Sequence, residues 1–162
     1  MTTNLSPKEK QIKAVGLLSG GLDSALAARI IRDLGIEVHG LYFAMPWGCC
    51  DKSKAQEAAE SLGIQFIVLQ LDERYLEVVK NPQHGYGTAL NPCVDCRVHM
   101  FSRAQKYMSA VGADFVFTGE VLGQRPMSQM RQSMKIIEKE SNLEGRLLRP
   151  LCAHLLEPTI PE

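Results

Sequence analysis

The sequence predicts a three-layer α/β fold with a doubly wound parallel sheet, and three observations carry that prediction. Apolar runs at 14–18, 36–43 and 65–71 alternate with helix-patterned runs, the order that builds parallel sheets. The first run, with Ala14, Val15, Leu17 and Leu18, is apolar on successive residues, as a strand covered on both faces must be. That strand ends in Ser19-Gly20-Gly21 and passes at once into a helix, a join shaped to hold something.

Each element follows from its residues. Ala25, Leu26, Ala28, Ile30 and Ile31 give the first helix an apolar side that packs on a sheet. Ile36 to Phe43 is the second strand, Lys52 to Leu62 a helix closed by Gly63, and Gln65 to Leu71 the third strand. This alternation favours right-handed crossovers, with helices on both faces of the sheet. Asn81 to Pro92, rich in Gly, Pro and Asn, reads as a loop. Val94 or Asp95 opens a long helix reaching about Val111, followed by a fourth strand at Phe115 to Thr118. A helix at Met127 to Ser141 and a fifth strand at Arg146 to Leu148 complete the pattern. The expected organisation is a polar tail at 1–12, one domain at 13–150, and a proline-rich tail at 151–162 that opens a further C-terminal region.

With 162 residues, 45% of them hydrophobic, the chain can bury one core. Eighteen basic residues balance eighteen acidic ones, so composition favours neither nucleic acid nor membrane. The polar stretch Met1 to Lys13, with Pro7 and three lysines, has no signal-peptide pattern, and no apolar run is long enough to span a bilayer. A cytoplasmic protein without membrane contact is expected. In that setting the five cysteines read as reduced, catalytic or metal-binding rather than as structural disulfides. Cys49 and Cys50 are adjacent, Cys93 and Cys96 form a C-x-x-C, and Cys152 stands alone.

The join at Ser19 is the most informative stretch. Two glycines let the backbone turn with positive φ and leave amides exposed to a close ligand, while Asp23 or Ser24 can cap the helix that follows. No lysine follows the glycines, which excludes a Walker loop. Ser19-Gly20-Gly21-Leu22-Asp23-Ser24 resembles the PP-loop of ATP pyrophosphatases, enzymes that split ATP between the α and β phosphates and adenylate a carbonyl oxygen. The resemblance implies the adenine nucleotide alpha hydrolase-like form of the fold, with ATP held by Leu18, Ser19, Gly20, Gly21, Asp23 and Ser24. It also implies Mg²⁺ across the phosphates. Asp23 is the nearest carboxylate for that ion, and the same residue reads equally well as a helix cap.

Further motifs narrow the resemblance. "GLYFAMPW", a cysteine-bearing loop, "SLGI", "NPCVDC" and "GADFVFTGE" follow in the order seen in tRNA 2-thiouridylases. "CRVHMFSRAQKYMSAVGADFVFTGEVLGQRPMSQ" and "LLRPL" are equally similar to the catalytic domain of tRNA 4-thiouridine synthases. Both families activate a uridine carbonyl with ATP and replace its oxygen with sulfur. The likeness implies a transferase for tRNA thiolation, with tRNA and a sulfur donor, a cysteine desulfurase relay or sulfide, as partners. It implies that Phe43 meets adenine through its backbone, that Gly119 lets the nucleotide approach, and that Cys96 is catalytic. The position of Cys96 near a helix start, with Arg97 beside it, favours the thiolate. Cys93 stands where many 2-thiouridylases have an acidic residue, and reads as a resolving thiol.

Other readings remain open. Some tRNA thiolation enzymes of the superfamily hold a [4Fe–4S] cluster on a C-x-x-C and one distant cysteine, which would assign Cys93, Cys96 and Cys152 as ligands. Six basic residues against three acidic ones between Arg125 and Arg149 suit either an RNA backbone or a solvated helix face. Docking of tRNA is expected through regions outside this chain or a partner subunit. His39 reads as structural; His84, His99 and His154 have no spacing that suggests ligands or a base. The rival functions are an amide-forming or deazaguanine-type synthase that would use ammonia, and an ATP-binding module without chemistry.

Overall fold

A computed structural model of the chain describes residues 11–45, 51–87 and 91–161. Its centre is a five-stranded, all-parallel sheet in the order β3-β2-β1-β4-β5. The strands are β1 (Lys13–Leu17), β2 (Glu37–Ala44), β3 (Gln65–Gln70), β4 (Phe115–Thr118) and β5 (Leu147–Leu148). Around them lie α1 (Leu22–Asp33), α2 (Lys52–Leu62), α3 (Glu73–Lys80), α4 (Cys93–Ala110) and α5 (Arg131–Glu140).

Two apolar layers flank the sheet, as the unbroken burial of the central strands requires. On one face Ala14, Val38 and Phe115 meet Ala27, Ala28 and Ile31 of α1 and Ala55 and Ala59 of α2. Opposite, Val15, Leu41 and Val116 meet Phe101, Ala104 and Met108 of α4, Ile137 of α5 and Tyr75 of α3. Neighbouring strand residues thus serve opposite layers, the two-residue alternation of a strand. The doubly wound three-layer expectation holds in full.

Strand order locates the ligand crevice. Leu17, the last residue of β1, pairs with Leu41 on one side and with Thr118, the last residue of β4, on the other. The chain leaves β1 toward β2 and β3, then crosses back to β4, so winding reverses between β1 and β4. Loops diverge there beyond the carboxyl ends of the strands and open a crevice.

The sequence reading is corrected at two elements. A helix, α3, stands before the loop expected at Asn81. Asp72 caps it by accepting from the Arg74 amide at 3.2 Å, and Tyr75 buries its apolar side. The helix expected from Met127 begins only at Arg131, because Met127 has φ +68°. Its thioether packs so tightly on Gly87 that a β-carbon there would lie 1.9 Å from the sulfur. Residues 119–130 form turns that wall the crevice instead.

Candidate active site

The PP-loop residues sit at the end of β1, and the path of the backbone there is what their sequence demands. Leu18 is buried, and its amide donates to Leu41 O at 2.9 Å, extending strand pairing one residue past β1. Gly20 then turns with φ +82°; any side chain there would also crowd Asp51 O and the Ala55 amide of α2 at 3.1 Å. The turn is therefore seated on the start of α2.

Capping of α1 differs from the expectation. Gly21 is the N-cap and no side chain caps the helix. Ser24 turns back instead, donating to Gly21 O at 2.8 Å and accepting from the Ser19 amide at 3.3 Å. The Asp23 carboxylate accepts from Gln124 Nε2 at 3.2 Å. The side chains that would have satisfied the first α1 amides brace the loop. Uncapped helix amides with a positive dipole end are the preferred seat of a phosphate.

Ser19, Gly21, Asp23 and Ser24 line a cleft of about 970 Å³ whose other walls carry Phe43, Cys93, Cys96, Thr118, Gly119 and Glu120. The expected gathering of the PP-loop, the C-x-x-C loop and Thr118-Gly119-Glu120 is what the structure has. Pro46 and Trp47, also expected at this cleft, lie outside the described residues, as do Cys49 and Cys50. Gly119 abuts the first turn of α1, since a β-carbon on it would sit 2.5 Å from Asp23 O and 2.6 Å from the Ser24 amide. Its lack of a side chain is required by helix packing, whatever nucleotide is bound.

Cys93 and Cys96 occupy the first turn of α4, where residues three apart share a face. Both are half-buried. The hydroxyl of Tyr75, from α3, lies 2.9 Å from Cys96 Sγ. Arg97 turns to Glu120, with Nε 3.3 Å from Oε1. Glu120 is 3% exposed and also meets Arg149, at 3.3 Å, and Arg149 in turn contacts Glu138. A chain of alternating charges thus runs from the cleft wall through the buried Arg149 to α5.

Cys152 is not brought to the other two thiols. It is buried behind the cleft wall, where its Sγ accepts from the Leu122 amide at 3.4 Å and lies 3.5 Å from Glu120 O. Among the described residues no group of three or more His, Cys, Asp or Glu side chains is arranged to hold a metal ion. Cys93, Cys96 and Cys152 do not form such a group, and no chemistry is assigned to a cluster. Mg²⁺ fits better, because it asks for one or two carboxylates together with substrate phosphates, and Asp23 lines the cleft beside the PP-loop turn.

The basic stretch 125–149 is less available than its count of charges suggests. Arg149 is 2% exposed and ion-paired, Lys135 pairs with Glu157 at 2.6 Å, and Arg131 donates to Leu155 O. His39 is structural as expected, with Nδ1 at 3.0 Å from Tyr107 OH and Nε2 at 3.0 Å from Glu37. His84 turns out to have partners, lying 3.1 Å from Asp95 and 3.2 Å from Glu140. Tyr75 escaped the sequence reading; Asp72 followed by Tyr75, Leu76 and Val79 was the signal for its helix. The Glu120–Arg149 pair spans 29 residues and left no local signal.

A parallel sheet whose switch point carries an uncapped Ser-Gly-Gly-x-Asp-Ser turn defines an α/β nucleotide-binding protein of the PP-loop type. The family model described as "Thiamine biosynthesis protein (ThiI)" matches residues 9–156, and the chain belongs to that family. The tRNA-specific 2-thiouridylase of Tropheryma whipplei (strain Twist) is 36% identical over 121 residues, covering 67% of this chain and 34% of its own. The Frankia alni enzyme of the same name is 33% identical over 153 residues, 84% of this chain and 44% of its own. This chain thus spans less than half the length of these curated relatives. In fold it matches a 4-thiouridine synthetase solved in complex with RNA and bound ATP, with TM-score 0.67 and 24% identity over 87% of this chain and 37% of that one. The resemblance to tRNA thiouridylases within the PP-loop ATP pyrophosphatases holds. Among the described residues no helix is long and apolar enough to cross a membrane.

Proposed function

We propose that this chain carries the catalytic domain of an ATP-dependent tRNA sulfurtransferase. The observation that carries the reading is the sharing of one cleft by the PP-loop turn and the Cys93–Cys96 pair. An amide-forming or deazaguanine-type synthase needs the first and has no use for the second.

In this reading the amides from Ser19 to Ser24 and the N-terminus of α1 hold the pyrophosphate portion of ATP, which stabilises the charge that develops as it leaves. Asp23 is the carboxylate that would hold Mg²⁺, which would supply charge neutralisation at the phosphates when bound. Leu18 and Phe43 lie at the adenosine, and Gly119 keeps the cradle narrow. A uridine carbonyl oxygen attacks the α-phosphorus and pyrophosphate departs. That oxygen, a poor leaving group until then, can now leave as part of AMP. A persulfide on Cys96, charged with sulfane sulfur by a cysteine desulfurase relay, supplies the sulfur that attacks the carbon and displaces AMP. Where sulfide is the donor, it attacks that carbon directly, with no persulfide and no disulfide formed. In the persulfide route Cys93 then attacks Cys96 Sγ, the S–S bond to the nucleoside breaks, and thiouridine leaves as a Cys93–Cys96 disulfide forms. An external thiol returns the two electrons. The tRNA is docked by regions outside this chain or by a partner subunit.

Pyrophosphate release from ATP, followed with bulk tRNA, with a carboxylate plus ammonia, and with neither, tests this reading. Release driven by tRNA, with labelled sulfur entering the RNA, is expected. Release driven by the carboxylate and ammonia would establish the amide-forming rival, and ATP binding without release in any mixture, with the RNA-docking partner supplied, would leave a binding module.

A further inference from the structure

Helix α3 is held over the start of α4 by two polar ties. Asp72, its cap, accepts from Arg103 of α4 at 3.3 Å, and Tyr75 reaches Cys96 Sγ at 2.9 Å. Tyr75 is 3% exposed, so its hydroxyl is delivered to the sulfur from a buried position. Its ring leans on His99, one turn along α4 from Cys96, with centroids 5.6 Å apart at 54°. Burial, reinforced by the charge of Arg103, pushes the His99 pKa down, and Nε2 is buried with no hydrogen-bond partner. The ring beneath Tyr75 is therefore neutral at neutral pH.

We propose that Tyr75 is a further residue of the sulfur-handling site, whose O–H donates to Cys96 Sγ and stabilises that sulfur as an anion. The proposal rests on the reading of Cys96 as the residue that handles sulfur. A thiolate can only accept and a phenol O–H can donate, so the direction of the hydrogen bond is set once the anion forms. A donor that serves the charged form better than the neutral thiol shifts the balance toward the charged form. Tyr75 adds a neutral donor to a region that holds charges of both signs. Arg97, on the same helix, is engaged with the buried Glu120 beyond β4. Asp23 of α1 lines the same cleft, and Asp95 precedes Cys96 on α4; both are acidic and oppose a second negative charge.

The test uses the full chain and reads the rate of iodoacetamide alkylation at Cys96 alone, by mass spectrometry of its peptide, from about pH 5 to about pH 9. Tyr75→Phe removes the donor and keeps the ring. It is expected to move the Cys96 inflection up by about one unit and to slow alkylation at neutral pH about five- to tenfold. Replacing the tyrosines with 3-fluorotyrosine keeps every ring in place and strengthens the donor; it is expected to move the inflection down. That second arm decides the matter if the Phe variant loses its cooperative melt. An inflection unmoved in both proteins would overturn the proposal and leave Tyr75 as packing. Neither readout needs ATP or RNA: shifted inflections with no sulfur transfer would sink the sulfurtransferase reading and spare the Tyr75–Cys96 pair.

Discussion

Gly119, at the end of β4, lies against the first turn of α1 so closely that a β-carbon on it would come within 2.5 Å of the carbonyl of Asp23. Backbone meets backbone at that point, and neither side can yield by rotating a side chain. Gly119→Ala is therefore expected to displace the start of α1, costing about 1–3 kcal/mol of stability. The melting temperature should fall by several degrees. The same displacement moves the amides that cradle phosphate, so ATP affinity measured by calorimetry should fall by about tenfold for each ~1.4 kcal/mol of lost contact. A variant that melts and binds like the parent would show that the approach is looser than described.

Arg149 is the hinge of the buried charge chain. Removing it leaves the buried Glu120 with Arg97 as its remaining partner and takes the buried arginine from Glu138, and breaking a buried pair on one side costs about 3–5 kcal/mol. Arg149→Met is expected to be severely destabilised in urea titrations. The double variant Arg149→Met with Glu120→Gln should recover a substantial part of the loss, because the buried charge is gone with its partner. Additive losses would mean the two residues do not interact.

His84 ties the loop before α4 to α4 and α5 through Asp95 and Glu140, and the hydrogen bond to Asp95 raises its pKa. A raised folded pKa gives a contribution that is complete below the unfolded histidine value of about 6.5 and is lost as pH rises through the folded value. His84→Gln should thus cost about 0.5–1 kcal/mol near pH 6 and much less near pH 9. Melting curves of the two proteins at both pH values should converge on the alkaline side; a constant gap would show that the imidazole's charge plays no part.

For the two cysteines of α4 the expected outcomes differ. Cys96→Ser should keep ATP binding, since the PP-loop amides rather than this thiol hold the phosphates in the proposed chemistry, and should abolish sulfur incorporation into RNA. Cys93→Ser should stall after the first sulfur transfer, leaving RNA joined to Cys96 by an S–S bond that an added thiol cleaves. Gel retention of labelled RNA, reversed by dithiothreitol, would reveal the stalled species. Full turnover by Cys96→Ser would remove that residue from the mechanism.

Much of this molecule could be read without coordinates, because the features concerned are local. Unbroken apolar strands, Gly63 closing α2 and the Ser-Gly-Gly turn announce themselves within a few residues. The parallel sheet followed from the alternation of elements, and with it the meeting of PP-loop and C-x-x-C in one crevice. What escaped depends on contacts between distant segments. The Met127 backbone is held in the left-handed region by packing on Gly87, against a helical pattern that runs through it. Cys152 was drawn toward the cleft by its position after β5, yet its sulfur is occupied by the loop after β4. Arg149 looked like surface charge because the carboxylates that bury it stand 11 and 29 residues away. The helix carrying Tyr75 had a legible cap, but the meeting of its hydroxyl with Cys96 spans 21 residues.

The pairing of β1 with β4 joins residues about a hundred positions apart, as the bond from the Lys13 amide to Asp114 illustrates. Closing so long a loop is a late and entropically costly event, because β1, β2 and β3 can pair among themselves first. The crevice exists only between β1 and β4. During synthesis the PP-loop is therefore made early but stays without its opposite wall until residues beyond Thr118 have left the ribosome. In the proposed reading, both Cys93 and Cys96 have already been made by the time the crevice gains its second wall.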